Sequence, residues 1–160
     1  FDLVKSLGAD EVFDYNAPNA AAEIRKATDN KLKLVLDTIS LEASAKFCDE
    51  AISTEGGEYS ALLAVGIERA NVNDRWTLAY TAVGEEFMFG ETPFPAKPED
   101  KEFAAKFWDI AQKLLAEGKI KVHRPSVRGE GLKGVLEGLQ LLKADKVSGE
   151  KLVYNVAETP

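Results

Sequence analysis

The chain has 160 residues, 45% of them hydrophobic, enough for one core of ordinary domain size. Its net charge of −7 and isoelectric point near 4.9 exclude nucleic acid as the main partner, because phosphate binding needs a basic surface. No run approaches the roughly 18 consecutive apolar residues of a membrane span, and FDLVKSLGAD carries charge where a secretory leader would be apolar. The single cysteine, Cys48, allows no internal disulfide and fits a reducing compartment, so a cytoplasmic location is expected. One Cys and one His far apart in the chain make no zinc site, so no metal is expected.

Residues 1–7 read as the end of a helix, with Phe1, Val4 and Leu7 at helical spacing and Gly8 as the stop. A chain that starts inside a helix, without an initiator Met, is expected to be part of something longer. Residues 11–15 (EVFDY) read as a short strand, and Pro18 suits the first turn of a helix over residues 20–28. The stretch KLKLVLDTIS, residues 31–40, is the centre of the reading. Its apolar run is a buried parallel strand that climbs into Asp37, Thr38 and Ser40 at its carboxyl end, where open α/β sheets bind ligands. Ser40 can cap the next helix, whose apolar stripe is Leu41, Ala45, Cys48 and Ile52. Gly56-Gly57 then turns the chain into another apolar strand, residues 59–65. The alternation β-α-β-α-β predicts an α/β fold, part of a doubly wound parallel sheet with residues 31–40 in its middle.

Beyond it, residues 67–73 read as loop and residues 75–83 as a strand, while Pro93, Pro95 and Pro98 mark residues 91–100 as an extended linker and a boundary near residue 100. Phe103, Phe107, Ile110 and Leu114 predict a helix over residues 102–117. Residues 119–123 read as a strand ended by Pro125. A second amphipathic helix carries Leu132, Val135, Leu136, Leu139 and Leu142, weakened by Gly134 and Gly138, and residues 151–156 form a last strand.

Few residues announce chemistry. The Tyr15 hydroxyl stands either packed or aimed into the crevice at a strand end, and Leu62-Leu63 at the end of the third strand offer backbone groups and an apolar wall to a planar ligand. His123, between Val122 and Arg124, reads as a solvated strand residue, and Cys48 as core. Glu85 and Glu86 would diverge on a strand, so they make no glycosidase pair. Neither Gly56-Gly57 nor Gly129–Gly131 has the phosphate-loop pattern.

Three stretches in this order, SLGADEVFDY (residues 6–15), LVLDTIS (34–40) and SGEKLV (148–153), resemble the cofactor domain of medium-chain dehydrogenases and reductases. RWTLAYTAVGEEFMFGE together with the SGEKLV ending is most similar to the zinc-free fungal trans-acting enoyl reductases that partner polyketide synthases. The resemblance implies a Rossmann-type sheet and an oxidoreductase that uses NADPH to reduce the activated C=C bond of an enoyl thioester. It further implies that Tyr15 helps hold the adenosine 2′-phosphate, that Leu62 and Leu63 lie by the nicotinamide, and that Val147 and Ser148 approach the cofactor. By the same resemblance, the segment Ala79, Tyr80, Thr81, Ala82 and Val83 lines the acyl pocket. No catalytic acid or base is assigned. Residues 1–100 would be a partial dinucleotide-binding domain, and residues 101–160 a segment completing a GroES-like substrate domain. The glycine-rich phosphate turn and the N-terminal substrate domain would precede Phe1, so the chain alone is expected to bind NADPH weakly or not at all and to be inactive. Two other readings are a quinone or alkenal reductase of the same superfamily and a non-catalytic α/β interaction module.

Overall fold

The computed structural model describes residues 1–160. The chain divides into two compact units, Glu11–Trp108 and a second made of Phe1–Asp10 with Asp109–Pro160.

In the first unit, a parallel sheet is built from β1 (Leu34–Asp37), β2 (Gly57–Ala61) and β3 (Val72–Trp76), in the order β1-β2-β3. The stretch expected in the middle of the sheet is therefore its edge, and β2 is the centre. Two helices precede and follow β1. The first, α2 (Ala20–Ala27), is an alanine-rich run of strong helix formers, and it packs on α3 (Glu42–Ala51). Asp29 and Asn30, at φ of +49° and +59°, end α2 in the left-handed conformation that Asx residues tolerate. Asn30 then exchanges hydrogen bonds with Thr54, accepting from its N–H at 2.9 Å and donating to its hydroxyl at 2.7 Å, which ties the end of α2 to the loop after α3.

The core lies on the α3 side of the sheet, where Ala45, Ile52, Tyr59, Ala61, Ile67 and Val72 are buried together with parts of Val35, Cys48 and Val65. Alternation along the pleat turns Val35 and Asp37 inward, whereas Leu34 and Leu36 are 73% and 65% exposed on the other face. An apolar run that reads as buried on both faces is thus covered on one, because in this unit the helices adjoining β1 pack on that one side.

Several boundaries differ from expectation, each for a physical reason. Residues 11–14 form no strand, since no neighbouring strand supplies a ladder to them. Pro18 sits in the turn before α2 rather than in its first turn. Residues 75–83 are not one strand: β3 ends at Trp76, and Ala79–Val83 closes into a short 3₁₀ helix stopped by Gly84 at φ +79°. The proline-rich linker hides a hairpin, β4 (Phe87–Phe89) with β5 (Thr92–Phe94), in which Phe87 stacks on Phe94 at 5.1 Å. Pro93 is tolerated because both strands of an isolated hairpin are edges, and Gly90 at φ +61° makes the turn. The helix α4 (Pro98–Ala116) starts four residues earlier than the apolar stripe indicates, with Pro98 opening it and Glu99 and Asp100 complementing its dipole.

The second unit holds α1 (Asp2–Ser6), β6 (Arg124–Arg128), α5 (Gly131–Lys143) and β7 (Glu150–Tyr154). β6 pairs parallel to β7. The expected strand over residues 119–123 is displaced into β6 and contains Pro125. After Gly118, the N–H groups of Lys119 and Ile120 return to the Leu114 carbonyl and finish the preceding helix, and residues 121–123 run on without a strand. α5 receives its N-terminal cap from the far end of the chain, where Thr159 Oγ1 accepts from the Leu132 N–H at 3.0 Å. Gly134 and Gly138 are not weak points but clearances. Both are buried, and the Tyr154 ring lies 3.0 Å from where a Cβ on Gly134 would stand.

Candidate functional site

The carboxyl edge of the first sheet is organised by one carboxylate. Asp37 is the last residue of β1 and is buried. Its Oδ1 accepts from the N–H groups of Ile39 and Ser40 at 2.9 and 2.8 Å, and its Oδ2 accepts from the hydroxyls of Ser44 and Tyr59 at 2.7 and 2.9 Å. Burial alone would raise the Asp37 pKa, but these four donors outweigh it and hold the carboxyl below its ordinary value. The same contact works in reverse on Tyr59. Burial first, then the bond to Asp37 and its charge, push the phenol well above the usual tyrosine range. Tyr59 is therefore a structural donor and no acid or base.

Ser40 does not cap α3 as its position suggests. It stands at φ +57°, fully buried, and its hydroxyl donates to the Asp37 carbonyl at 2.9 Å while accepting the Leu62 N–H at 2.8 Å. The cap on α3 comes instead from Ser44, whose Oγ accepts the Leu41 N–H at 2.9 Å. Ser40 thus stitches the loop leaving β1 to the loop leaving β2, at the residue where Leu62 and Leu63 emerge. Those two side chains are 47% and 55% exposed, an apolar shelf at the carboxyl end of the central strand.

Tyr15 occupies a turn rather than a strand end. The Asp14 carboxylate accepts from the Asn16 N–H and side-chain amide at 2.9 and 3.0 Å, and the Ala17 N–H returns to the Asp14 carbonyl, so the turn is pinned on both sides of Tyr15. Its ring is 75% exposed. Val147 and Ser148 lie in the other unit, in the loop between α5 and β7, and are half-buried and exposed respectively.

The segment Ala79–Val83 is divided in two by its 3₁₀ geometry. Ala79, Thr81 and Ala82 line a cleft of about 720 Å³, whereas Tyr80 turns to the hairpin, 5.9 Å from Phe87 and 6.0 Å from Phe89 between ring centroids. Val83 is exposed and does not line the cleft. Thr81 is buried with its hydroxyl donating to the Leu78 carbonyl, so it offers the cleft no spare donor. α4 contributes Phe103 and Phe107 to the lining, which also includes Trp76 and Phe94. Sequence reading placed the α4 aromatics in a helix stripe and Trp76 in a strand without joining them to the Ala79–Val83 segment. Their spacing signals an apolar face but not what it faces.

His123 is exposed just before β6. Burial, then the charge of Asp37, push the Cys48 thiol up to about 11, which makes it inert. No group of three or more His, Cys, Asp and Glu is placed to hold a metal ion.

No family model matches the chain. Among curated proteins it is 45% identical over 157 residues to the trans-enoyl reductase ACTTS2 of Alternaria alternata, covering 98% of this chain and 45% of that protein. It is 42% identical over 163 residues to the trans-enoyl reductase FSL5 of Gibberella zeae, covering 99% of this chain and 45% of that protein. It is 49% identical over 144 residues to the dual trans-enoyl reductase/FAD-dependent monooxygenase tazHJ of Aspergillus terreus, covering 89% of this chain and 21% of that protein. The chain thus spans less than half the length of these relatives. Among solved structures it is similar to the CurF ER cyclopropanase from the curacin A biosynthetic pathway, with a TM-score of 0.63 at 18% identity over 99% of this chain and 44% of that one. That likeness is one of fold.

Proposed function

We propose that this chain, similar over nearly its whole length to fungal trans-enoyl reductases, supplies the cofactor-binding half of an NADPH-dependent reductase acting on the C=C bond of an enoyl thioester. The observation that carries the proposal is the near-complete alignment of this chain with proteins named trans-enoyl reductases. In this reading the enzyme works in the cytoplasm beside a polyketide synthase that presents the acyl substrate. Residues 1–100 provide the dinucleotide-binding part, and residues 101–160 the segment that completes a substrate domain.

The residues present suit a nicotinamide cofactor. Such cofactors lie at the carboxyl ends of parallel strands, and here that edge carries the exposed Leu62-Leu63 shelf, fixed to β1 through Ser40. Leu62 and Leu63 would back the nicotinamide and Tyr15 on its pinned turn would reach the 2′-phosphate, while for Val147 and Ser148 a cofactor contact is proposed from the resemblance alone. When bound, the cofactor supplies the hydride. This chain's part is to orient it: the Asp37–Tyr59–Ser44 bonds keep the β1 and β2 loop ends fixed without a mobile charge. Ala79, Thr81 and Ala82 would receive the acyl chain.

The test is a hybrid in which the N-terminal part of the Alternaria alternata relative precedes this chain. Reduction of a crotonyl thioester with oxidation of NADPH is expected. A folded hybrid that oxidises no NADPH, beside an active intact relative, would overturn the reading.

A further inference from the structure

We propose that the cleft between the Ala79–Val83 helix and α4 is a chain-length gauge for the acyl group, with Phe103 and Phe107 of α4 as its limiting wall. The identity of the ligand as an acyl thioester rests on the reductase reading above; the cleft and its walls do not. One side is made of small groups, Ala79, Thr81 and Ala82. From α4 come Phe103 and Phe107, one helical turn apart and stacked at 6.3 Å between centroids, 21° from parallel. The only charged side chains along the cleft are Lys97 and Asp100, and the Thr81 hydroxyl is already used by the Leu78 carbonyl.

A slot of about 720 Å³ falls in the range of small-molecule sites. Its walls offer a ligand many carbon contacts and few hydrogen bonds, which selects an unbranched or sparsely branched hydrocarbon over a sugar, nucleotide or peptide. Its lining is rich in rings, with Trp76, Phe94, Phe103, Phe107 and Trp108, and poor in polar groups. A longer chain gains affinity with each methylene until it meets the rings, and then gains no more.

The protein carries its own reporter. It has two tryptophans, Trp76 and Trp108, and both line this cleft. Tryptophan emission of the 160-residue chain, titrated with butyryl, hexanoyl, octanoyl and longer N-acetylcysteamine thioesters, reads occupancy directly. The expected result is a saturable change with affinity rising about fourfold per added methylene up to a limiting length. Ala82→Leu, which fills the slot from its small wall, should weaken octanoyl binding at least about tenfold. Phe107→Ala should move the limiting length upward, which keeps the test open if Ala82→Leu does not fold. Emission indifferent to every thioester, or a length profile unchanged in Phe107→Ala, would overturn the proposal. An emission response seen in this chain but absent from the folded hybrid would overturn it too, by showing that the cleft is covered by protein. Thioester binding by a chain whose hybrid oxidises no NADPH would leave the gauge standing and remove the reductase reading; the converse would remove the gauge alone.

Discussion

Tyr59→Phe is the sharpest probe of how the sheet edge is held. The Tyr59 ring is fully buried, and its hydroxyl donates to Asp37 Oδ2 at 2.9 Å. The carboxylate has no cationic partner among its hydrogen bonds; four neutral donors carry its charge. Removing one of four leaves the ring packing intact and Oδ2 with Ser44 alone. A hydrogen bond to a charged group contributes about 1.5–3 kcal/mol, so the variant should lose about 2 kcal/mol, or roughly 1 M in urea midpoint at a typical slope. The loss has a definite pH dependence. The Asp37 pKa is lowered in the folded state, so its stabilisation is fully present above the unfolded carboxyl value of about 4 and disappears as pH falls through the lower folded value. Tyr59→Phe brings the folded value back toward the ordinary one. The gap between wild type and variant should therefore be widest near neutral pH and shrink below about pH 4. Urea unfolding followed by circular dichroism at neutral and acid pH makes the measurement. A midpoint shift under about 0.3 M, or a gap of the same size at both pH values, would refute the reasoning.

Three further outcomes follow from single contacts. Arg69 donates to the Asp49 carboxylate at 3.1 Å and to the Ser53 and Thr54 carbonyls at 2.9 and 3.2 Å, closing the loop after α3, so Arg69→Ala should cost about 1–2 kcal/mol in urea unfolding, and Arg69→Lys nearly as much, because an ammonium cannot reproduce the fork. Gly138→Ala would drive a methyl group into the Tyr154 hydroxyl and should destabilise by about 1–3 kcal/mol, whereas Tyr154→Phe, which removes a buried hydroxyl without a partner, should be neutral or stabilising and should relieve part of the Gly138→Ala loss. Cys48 has its thiol pushed from 9.0 to about 11, so near pH 8 its alkylation in the folded chain should run about a hundredfold slower than in urea, measured by mass spectrometry of iodoacetamide adducts.

What could be read from the sequence was the part governed by local periodicity. The strand and helix succession from Ala20 to Ala61 follows from apolar runs and stripes, and the resemblance to trans-enoyl reductases agrees with the relatives found. Three kinds of feature escaped. Pro93 read as part of a linker and Pro125 as the end of a strand, yet both sit within two-stranded pairings where every strand is an edge. The alternation Trp76, Leu78, Tyr80 mimicked a strand, while the backbone closed into a 3₁₀ helix that sends Tyr80 to the hairpin and its neighbours Ala79 and Thr81 to the cleft. Ser40 had the residue type and position of a helix cap but serves the Leu62 N–H, 22 residues away, a partner that no local pattern reveals. In the same way Gly134 and Gly138 looked like flaws in a helix until the Tyr154 ring was seen lying against them.

The most direct test of the central claim is nucleotide binding by the hybrid that joins the Alternaria alternata relative's N-terminal part to this chain. Fluorescence titration with NADPH and NADH should show binding that favours NADPH, with the preference reduced severalfold in Tyr15→Phe. A folded hybrid that binds neither nucleotide would contradict the account, and would leave this chain sharing the reductases' fold without their function.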